Sequence, residues 1–310
     1  MTDPARYVHI VDDVPELDDL EQGPVLIHSL DGFLDAGNAA AIATRALLSQ
    51  SSGRVVASFE IDAFYDYRAR RPPMTFSESR YEDYDPPRLV VRLNHDSLGT
   101  PYLLLHGPEP DTHWEAFALA VRAVVEKFRV RLTVAMGAVP MAVPHTRPIA
   151  ITEHANNVEL IVGDSRWRGE LRIPSSAQAL LEVRLGEWGH DALGFVAHIP
   201  HYLAQLEYPR ASAALLEHVE RAGRLTIDLT ELRAEAEDRD AEITRYLAGN
   251  EEVGDVVTAL EQQYDAFTRA EESGSSLLAG NQPLPTGEEI GLQFEQFLAG
   301  LDKPDNPTEN

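Results

Sequence analysis

The chain has 310 residues, with 51 acidic against 26 basic side chains, a formal charge of −25 and no cysteine. That balance argues against nucleic acid and against anionic membrane surfaces, because phosphate binding needs a basic face that displaces counterions. The missing cysteine excludes disulfides, thiolate catalysis and cysteine-ligated metals.

A 44% apolar fraction supplies a sizeable core, and no stretch approaches the roughly 18 apolar residues of a membrane span. The opening MTDPARYVHIVDD lacks the basic-then-apolar plan of a signal peptide, so a soluble, cytoplasmic protein is expected. Residues 25–30, VLIHSL, read as a strand, followed by the glycine-bearing loop DGFLDAGNAA and an alanine-rich helix to about Gln50. RVVASFEI (54–61), RLVVRLN (88–94) and YLLLHG (102–107) read as further strands, the last two joined by the turn SLGTP. Trp114, Phe117, Val121, Val124, Val125 and Phe128 recur at helical spacing with one apolar face. RLTVAMG (131–137) and RPIAITEHA (147–155) return to strand, whereas 158–207 is of mixed pattern. Strands alternating with helices predict a largely parallel sheet covered on both faces.

After Arg210 the pattern turns helical. ASAALLEHVERAG stops at a glycine, and the apolar positions from Leu229 to Phe267 fit helices with a break at AGNEEVG. Residues 231–310 hold 19 acidic and 5 basic residues, which reads first as a solvated helical face. ESGSSLLAGNQPLP reads as a linker, and TGEEIGLQFEQFLAGL as a short amphipathic helix opened by a Thr286–Glu289 capping box, docking on its own domain or on a partner. The expected organisation is an N-terminal lead (1–20), an α/β core (21–222), an acidic helical extension (223–272) and a linker with a tail helix (273–310).

Ligands of parallel sheets bind beyond the carboxyl ends of the strands, and three loops meet that description. They carry Asp31, Asp35 and Gly37; His106, Glu109 and Asp111; and His145 with Arg147. Carboxylate, imidazole and guanidinium together would supply a base, an acid and an anion clamp; as caps, Asp31 or Asp35 would only hold the first helix start, and Glu109 and Asp111 that of the next helix. The chain has no GxGxxG and no G-x-S-x-G. Its lysines are only Lys127 and Lys303, neither placed for a phosphate loop or a Schiff base, so no cofactor is expected. His198 and His201 straddle Pro200 and make no metal pattern; His201 and Tyr202 read as turn and helix-start residues, or as ligand contacts. DAFYDYRARRPP (62–73) concentrates Arg68, Arg70 and Arg71 among tyrosines, with Asp62 and Asp66 in reach. Arginine's planar fork serves anion capture or a subunit contact equally well.

DGFLDAGNAA, DAFYDYRARRP, LHGPEPDTHW, VPHTRP and IPHYLAQLEYPRASAALLE, in this order, resemble the actinobacterial branch of the proteasome assembly chaperone 2 family over roughly residues 20–270. The resemblance implies a three-layer α/β/α sandwich like that of nucleoside phosphorylases and peptidyl hydrolases, assembled as a homotrimer or a multiple of it. It also implies a non-enzymatic chaperone or scaffold with proteasome subunits or another protein as partner, and supplies no catalytic residue. Proteasome-binding members end in a hydrophobic-tyrosine-any tripeptide; this sequence ends Thr308-Glu309-Asn310, which departs from that docking mode. The other reading is a nucleoside- or phosphometabolite-binding protein or enzyme using the three loops. Replacing Arg68 and Arg71 is expected to weaken assembly.

Overall fold

The computed structural model describes residues 3–18, 20–32, 34–51, 53–161, 170–248 and 251–272. Internal contacts divide the chain into two compact units, Met1–Glu261 and Gln262–Asn310. The expected linker and tail helix lie outside the described residues.

The strands are β1 (Val8–Ile10), β2 (Val25–Asp31), β3 (Arg54–Phe59), β4 (Thr75–Ser77), β5 (Arg80–Glu82), β6 (Val90–His95), β7 (Pro101–Pro108), β8 (Leu132–Met141), β9 (Ile151–Ala155) and β10 (Ala192–Pro200). The helices are α1 (Ala39–Gln50), the single turn α2 (Ile61–Phe64), α3 (Trp114–Lys127), α4 (Ala177–Glu187), α5 (Pro209–Gly223), α6 (Thr230–Ala248) and α7 (Glu251–Glu272). Eight strands form one sheet in the order β1-β3-β6-β7-β2-β8-β10-β9. Its centre, β7-β2-β8-β10, is parallel. β6, β3 and β1 extend one edge by antiparallel pairing, and β9 closes the other. β3 opposes β6, which opposes β7, so β3 points the same way as the parallel centre, and five of the eight strands share one direction.

Side-chain alternation places a core on each face. Val25 and Ile27 of β2, with Tyr102 and Leu104 of β7, face α1, α5 and the start of α6. Leu26, Leu103 and Leu105 face α3 and α4. Two layers of helix therefore sandwich the sheet, as residues 25–27 of β2 and 102–105 of β7 require by being buried on both faces. Phe117, Val121 and Val124 of α3 are fully buried, each worth about 1.5–3 kcal/mol relative to exposure.

The sequence of mixed pattern at 158–207 contains α4 and the strand β10, which inserts between β8 and β9. The strand expected at 147–155 is shorter and lies antiparallel to β10 at the edge. The turn after β6 is set by Asp96, whose carboxylate accepts from Leu98 N at 2.9 Å and Thr100 N at 2.8 Å. Gly194 is required in β10 because a Cβ there would strike the ring of its cross-strand neighbour His154.

Candidate functional site

All three predicted loops do lie at the carboxyl end of the parallel strands, and a fourth joins them. Since β3 points with the centre, the run after it also reaches this edge. Arg70 of that run is the hub. Its guanidinium donates to Asp31 O at 3.3 Å, Glu109 O at 2.6 Å and Asp111 Oδ2 at 2.6 Å, and stacks 4.6 Å from the Tyr65 ring centroid. Asp111 Oδ2 also accepts from Asp66 N at 2.7 Å. One side chain thus ties the ends of β2, β3 and β7 together, its planar fork spreading the donors over two nitrogens.

Arg68 and Arg71 are exposed, and neither makes an ion pair among the described residues. The carboxylates in reach of them are otherwise engaged: Asp62 accepts from the Tyr67 hydroxyl at 2.6 Å, and Asp66 caps its own turn at Arg68 N, 2.8 Å away.

The carboxylates at this edge brace backbone. Asp35 accepts from Ala40 N and Ala41 N, both at 2.9 Å, at the start of α1. Glu109 Oε1 accepts from Ala177 N at 2.7 Å, at the start of α4. Burial pushes both carboxyls up from their ordinary values, against the pull of those amides. Asp31 stands open at the rim, yet desolvation by the surrounding loops, and then the Asp35 carboxylate, push it up as well. Gly37 adopts φ +68°, a left-handed geometry, with room for no side chain beside Tyr208. There Gly37 N donates to Ala204 O at 2.8 Å and Gly37 O accepts from Tyr208 N at 2.9 Å, joining the first loop to the β10–α5 connection.

His145 and Arg147 belong to a second cluster. The Tyr202 hydroxyl accepts from His145 N at 2.9 Å and lies 2.8 Å from His145 Nδ1. Burial pulls the His145 pKa down. In the neutral ring Tyr202 donates to Nδ1, which leaves the proton on Nε2. Arg210 of α5 donates to His145 O at 2.9 Å and pairs with Asp240 of α6 at 3.4 Å. Arg147 pairs with Glu261 of α7 at 3.3 Å, and Thr146 donates to the same carboxylate. His201 is exposed and only packs its ring against Tyr202. His198 Nε2 lies 2.8 Å from Thr152 Oγ1, on β9.

The ten candidate residues therefore do not assemble into one catalytic constellation. Asp31 and Glu109 gather around Arg70, His145 and Arg147 around Tyr202, and Asp35 and Gly37 serve the start of α1. No described hydroxyl nucleophile sits on a base oriented by a third group, the arrangement that activates a hydroxyl for covalent catalysis. Arg210, Asp240 and Glu261 were not singled out from the sequence, and Arg70 and Asp111 were named there but not as partners. Arg70 and Asp111 stood in the quoted runs, but spacing does not choose among neighbouring arginines.

The described half of the same excursion beyond Arg71 is of another kind. β4 and β5 pair only with each other. Phe76 and Tyr81 stack at 5.0 Å while remaining 61% and 74% exposed, and Met74 and Tyr84 are about half exposed beside them.

A family model described as PAC2 family matches residues 29–247. A Mycobacterium tuberculosis protein of unknown function, Rv2714, is 45% identical over 86% of this chain and 93% of its own, with a TM-score of 0.80. A Corynebacterium glutamicum protein of unknown function is 34% identical over 85% and 99%, also with a TM-score of 0.80. The Mycobacterium tuberculosis proteasome-assembly chaperone homologue Rv2125 is 27% identical over 75% and 99%, with a TM-score of 0.68. A search of curated proteins finds no match. The family match covers well over half of the sequence and agrees with the sandwich described above: the chain belongs to the PAC2 family.

Proposed function

We propose that this protein is a self-assembling scaffold of the chaperone type, which builds its oligomer through the β4–β5 hairpin and presents the completed assembly to a protein partner. The observation that carries the reading is the exposed aromatic hairpin. A two-stranded hairpin is marginal alone in water, and stacked rings left 61% and 74% exposed call for a covering surface. The occupant is a second copy of the chain. Residues 62–88 hold six acidic and five basic side chains, so copies meet there with little of the repulsion that a chain of −25 otherwise carries. A trimer is the closed assembly that the family resemblance favours. The relative Rv2125 is described as a proteasome-assembly chaperone homologue, which supports a partner of the proteasome-subunit class. The braced carboxyl edge, where the candidate carboxylates hold backbone amides, supports a binding role over a catalytic one.

Native mass spectrometry of the purified protein and of a Phe76→Ser, Tyr81→Ser double variant tests the reading. A wild-type oligomer that falls to monomer in the variant supports it; a wild-type monomer, or an oligomer indifferent to both changes, contradicts it.

One observation favours a small-molecule reading. Tyr208 Oη, Ser212 Oγ and Asp240 Oδ1, carried by α5 with its N-cap and by α6, are buried with no hydrogen-bond partner among the described residues. A nucleoside or phosphometabolite that raises the melting temperature of the wild type, but not of Tyr208→Phe, would establish that reading.

A further inference from the structure

The opposite end of the sheet carries a groove that neither the assembly reading nor the carboxyl-edge loops use. Arg131 and Asp191 stand immediately before β8 and β10, so this is the amino end of the parallel strands. The groove encloses about 640 Å³, the size of a small-molecule site.

Its floor contains a buried acidic side chain. Glu153 lies on β9 in register with Phe195 of β10, on the face shared with Ile151. Its side chain is 8% exposed. The facing group is His218 of α5, whose Nε2 is 4.0 Å from Glu153 Oε1, beyond hydrogen-bond reach. His218 Nδ1 lies 2.9 Å from Ala214 O, so the neutral ring spends its proton there and turns an acceptor toward the carboxylate. In that tautomer two acceptors confront each other across a gap that a donor would fill. The Phe195 ring lies edge-on to the His218 ring, 5.3 Å away. No described hydrogen bond reaches this carboxylate.

The rim has the other sign. Arg131, Arg221 and Arg224 line the groove, and none of them makes an ion pair among the described residues. Arg131 donates to Gly223 O at 2.6 Å, and its pKa is pulled down by burial and then by Arg224. Two guanidiniums so placed gain from an anion between them. Glu159 and Asp191 also stand on the rim, so a purely anionic ligand meets repulsion and a purely cationic one meets the arginines. A groove with both signs suits a ligand with both.

We propose that the groove binds a small aminocarboxylate, its ammonium between Glu153 and His218 and its carboxylate on the arginine rim. Calorimetric titration of the full chain with glycine, 3-aminopropanoate, 4-aminobutanoate and 6-aminohexanoate tests this, with hexanoate and hexylamine as single-charge controls. One or more of the zwitterions binds saturably, and both controls bind at least about tenfold more weakly. Glu153→Gln lowers the affinity of the preferred zwitterion about tenfold or more without lowering the melting temperature of the free protein. The rim variant Arg221→Ala, Arg224→Ala, which changes only exposed side chains, weakens the same zwitterion independently. Absence of binding by all four zwitterions, a control that binds as well as they do, or wild-type affinity in both variants would overturn the proposal.

Discussion

Residues 62–71 and 74–84 are consecutive parts of one excursion from the sheet, and they use the same residue types for opposite ends. In the first, Arg70 and Tyr65 turn inward, and the guanidinium spans three acceptors that belong to two other loops. In the second, Phe76 and Tyr81 turn outward and touch mainly each other. Arginine with tyrosine is the composition of an interface, but it does not say whether the interface lies within a molecule or between molecules. Here the first is observed in the Arg70 contacts, and the second is what we propose for the hairpin that follows.

The largest effect should come from breaking the inward half. Arg70→Ala leaves the Asp111 carboxylate and two carbonyls without their charged donor, and should lower unfolding free energy by about 2–3 kcal/mol. Urea denaturation checks it; a loss below about 0.5 kcal/mol would show that the three loops hold without the hub.

A pH titration sharpens the contrast between buried and open charge. His28, buried beneath the same edge, has its pKa pulled to about 4 by burial, below the ordinary 6.5. Between those values the unfolded chain takes up a proton that the folded chain refuses, so stability falls as pH drops through that window. The gap corresponds to about 3 kcal/mol at most. Asp31, Asp35 and Glu109, whose carboxyls are pushed up, act in the opposite direction. The comparison of wild type with His28→Gln therefore isolates the imidazole: the variant's stability should decline less between pH 6.5 and 4, and identical slopes would refute the assignment.

Gly37→Ala tests the junction of the first loop with the β10–α5 connection. A Cβ at φ +68° and 3.0 Å from Tyr208 Cβ should cost about 1–2 kcal/mol. A neutral result in thermal unfolding would mean that Tyr208 moves aside freely.

The smallest effect on stability is expected for Arg68→Ala with Arg71→Ala, since both side chains are exposed and unpaired among the described residues. The change should stay within about 0.5 kcal/mol. Any weakening of assembly, read by sedimentation velocity, would then report on contacts between copies rather than on folding.

The parallel centre of the fold was legible because β2 and β7 are apolar at successive positions and helices follow them at the expected spacing. β10 was harder to read. ALGFVAHIP carries a glycine and a histidine, and the reason for the glycine, the His154 ring of the neighbouring strand, lies 40 residues away. β4 and β5 escaped for another reason: three-residue strands with their aromatics outward show no buried face to read. At the edge, the loops were placed correctly by strand order, and Asp35 proved to hold the start of the helix that follows it, whereas Glu109 holds the start of α4 rather than of the next helix, α3. The partners Arg210, Asp240 and Glu261 come from helices up to 115 residues away from the His145 loop. Local spacing carries no trace of them.

Hydrogen exchange over residues 74–84 tests the outward half most directly. A hairpin paired only with itself exchanges fast, and one covered by a second copy does not. The account predicts protected amides in the assembled wild type and rapid exchange in the Phe76→Ser, Tyr81→Ser variant. Rapid exchange of this segment in an intact wild-type oligomer would contradict it.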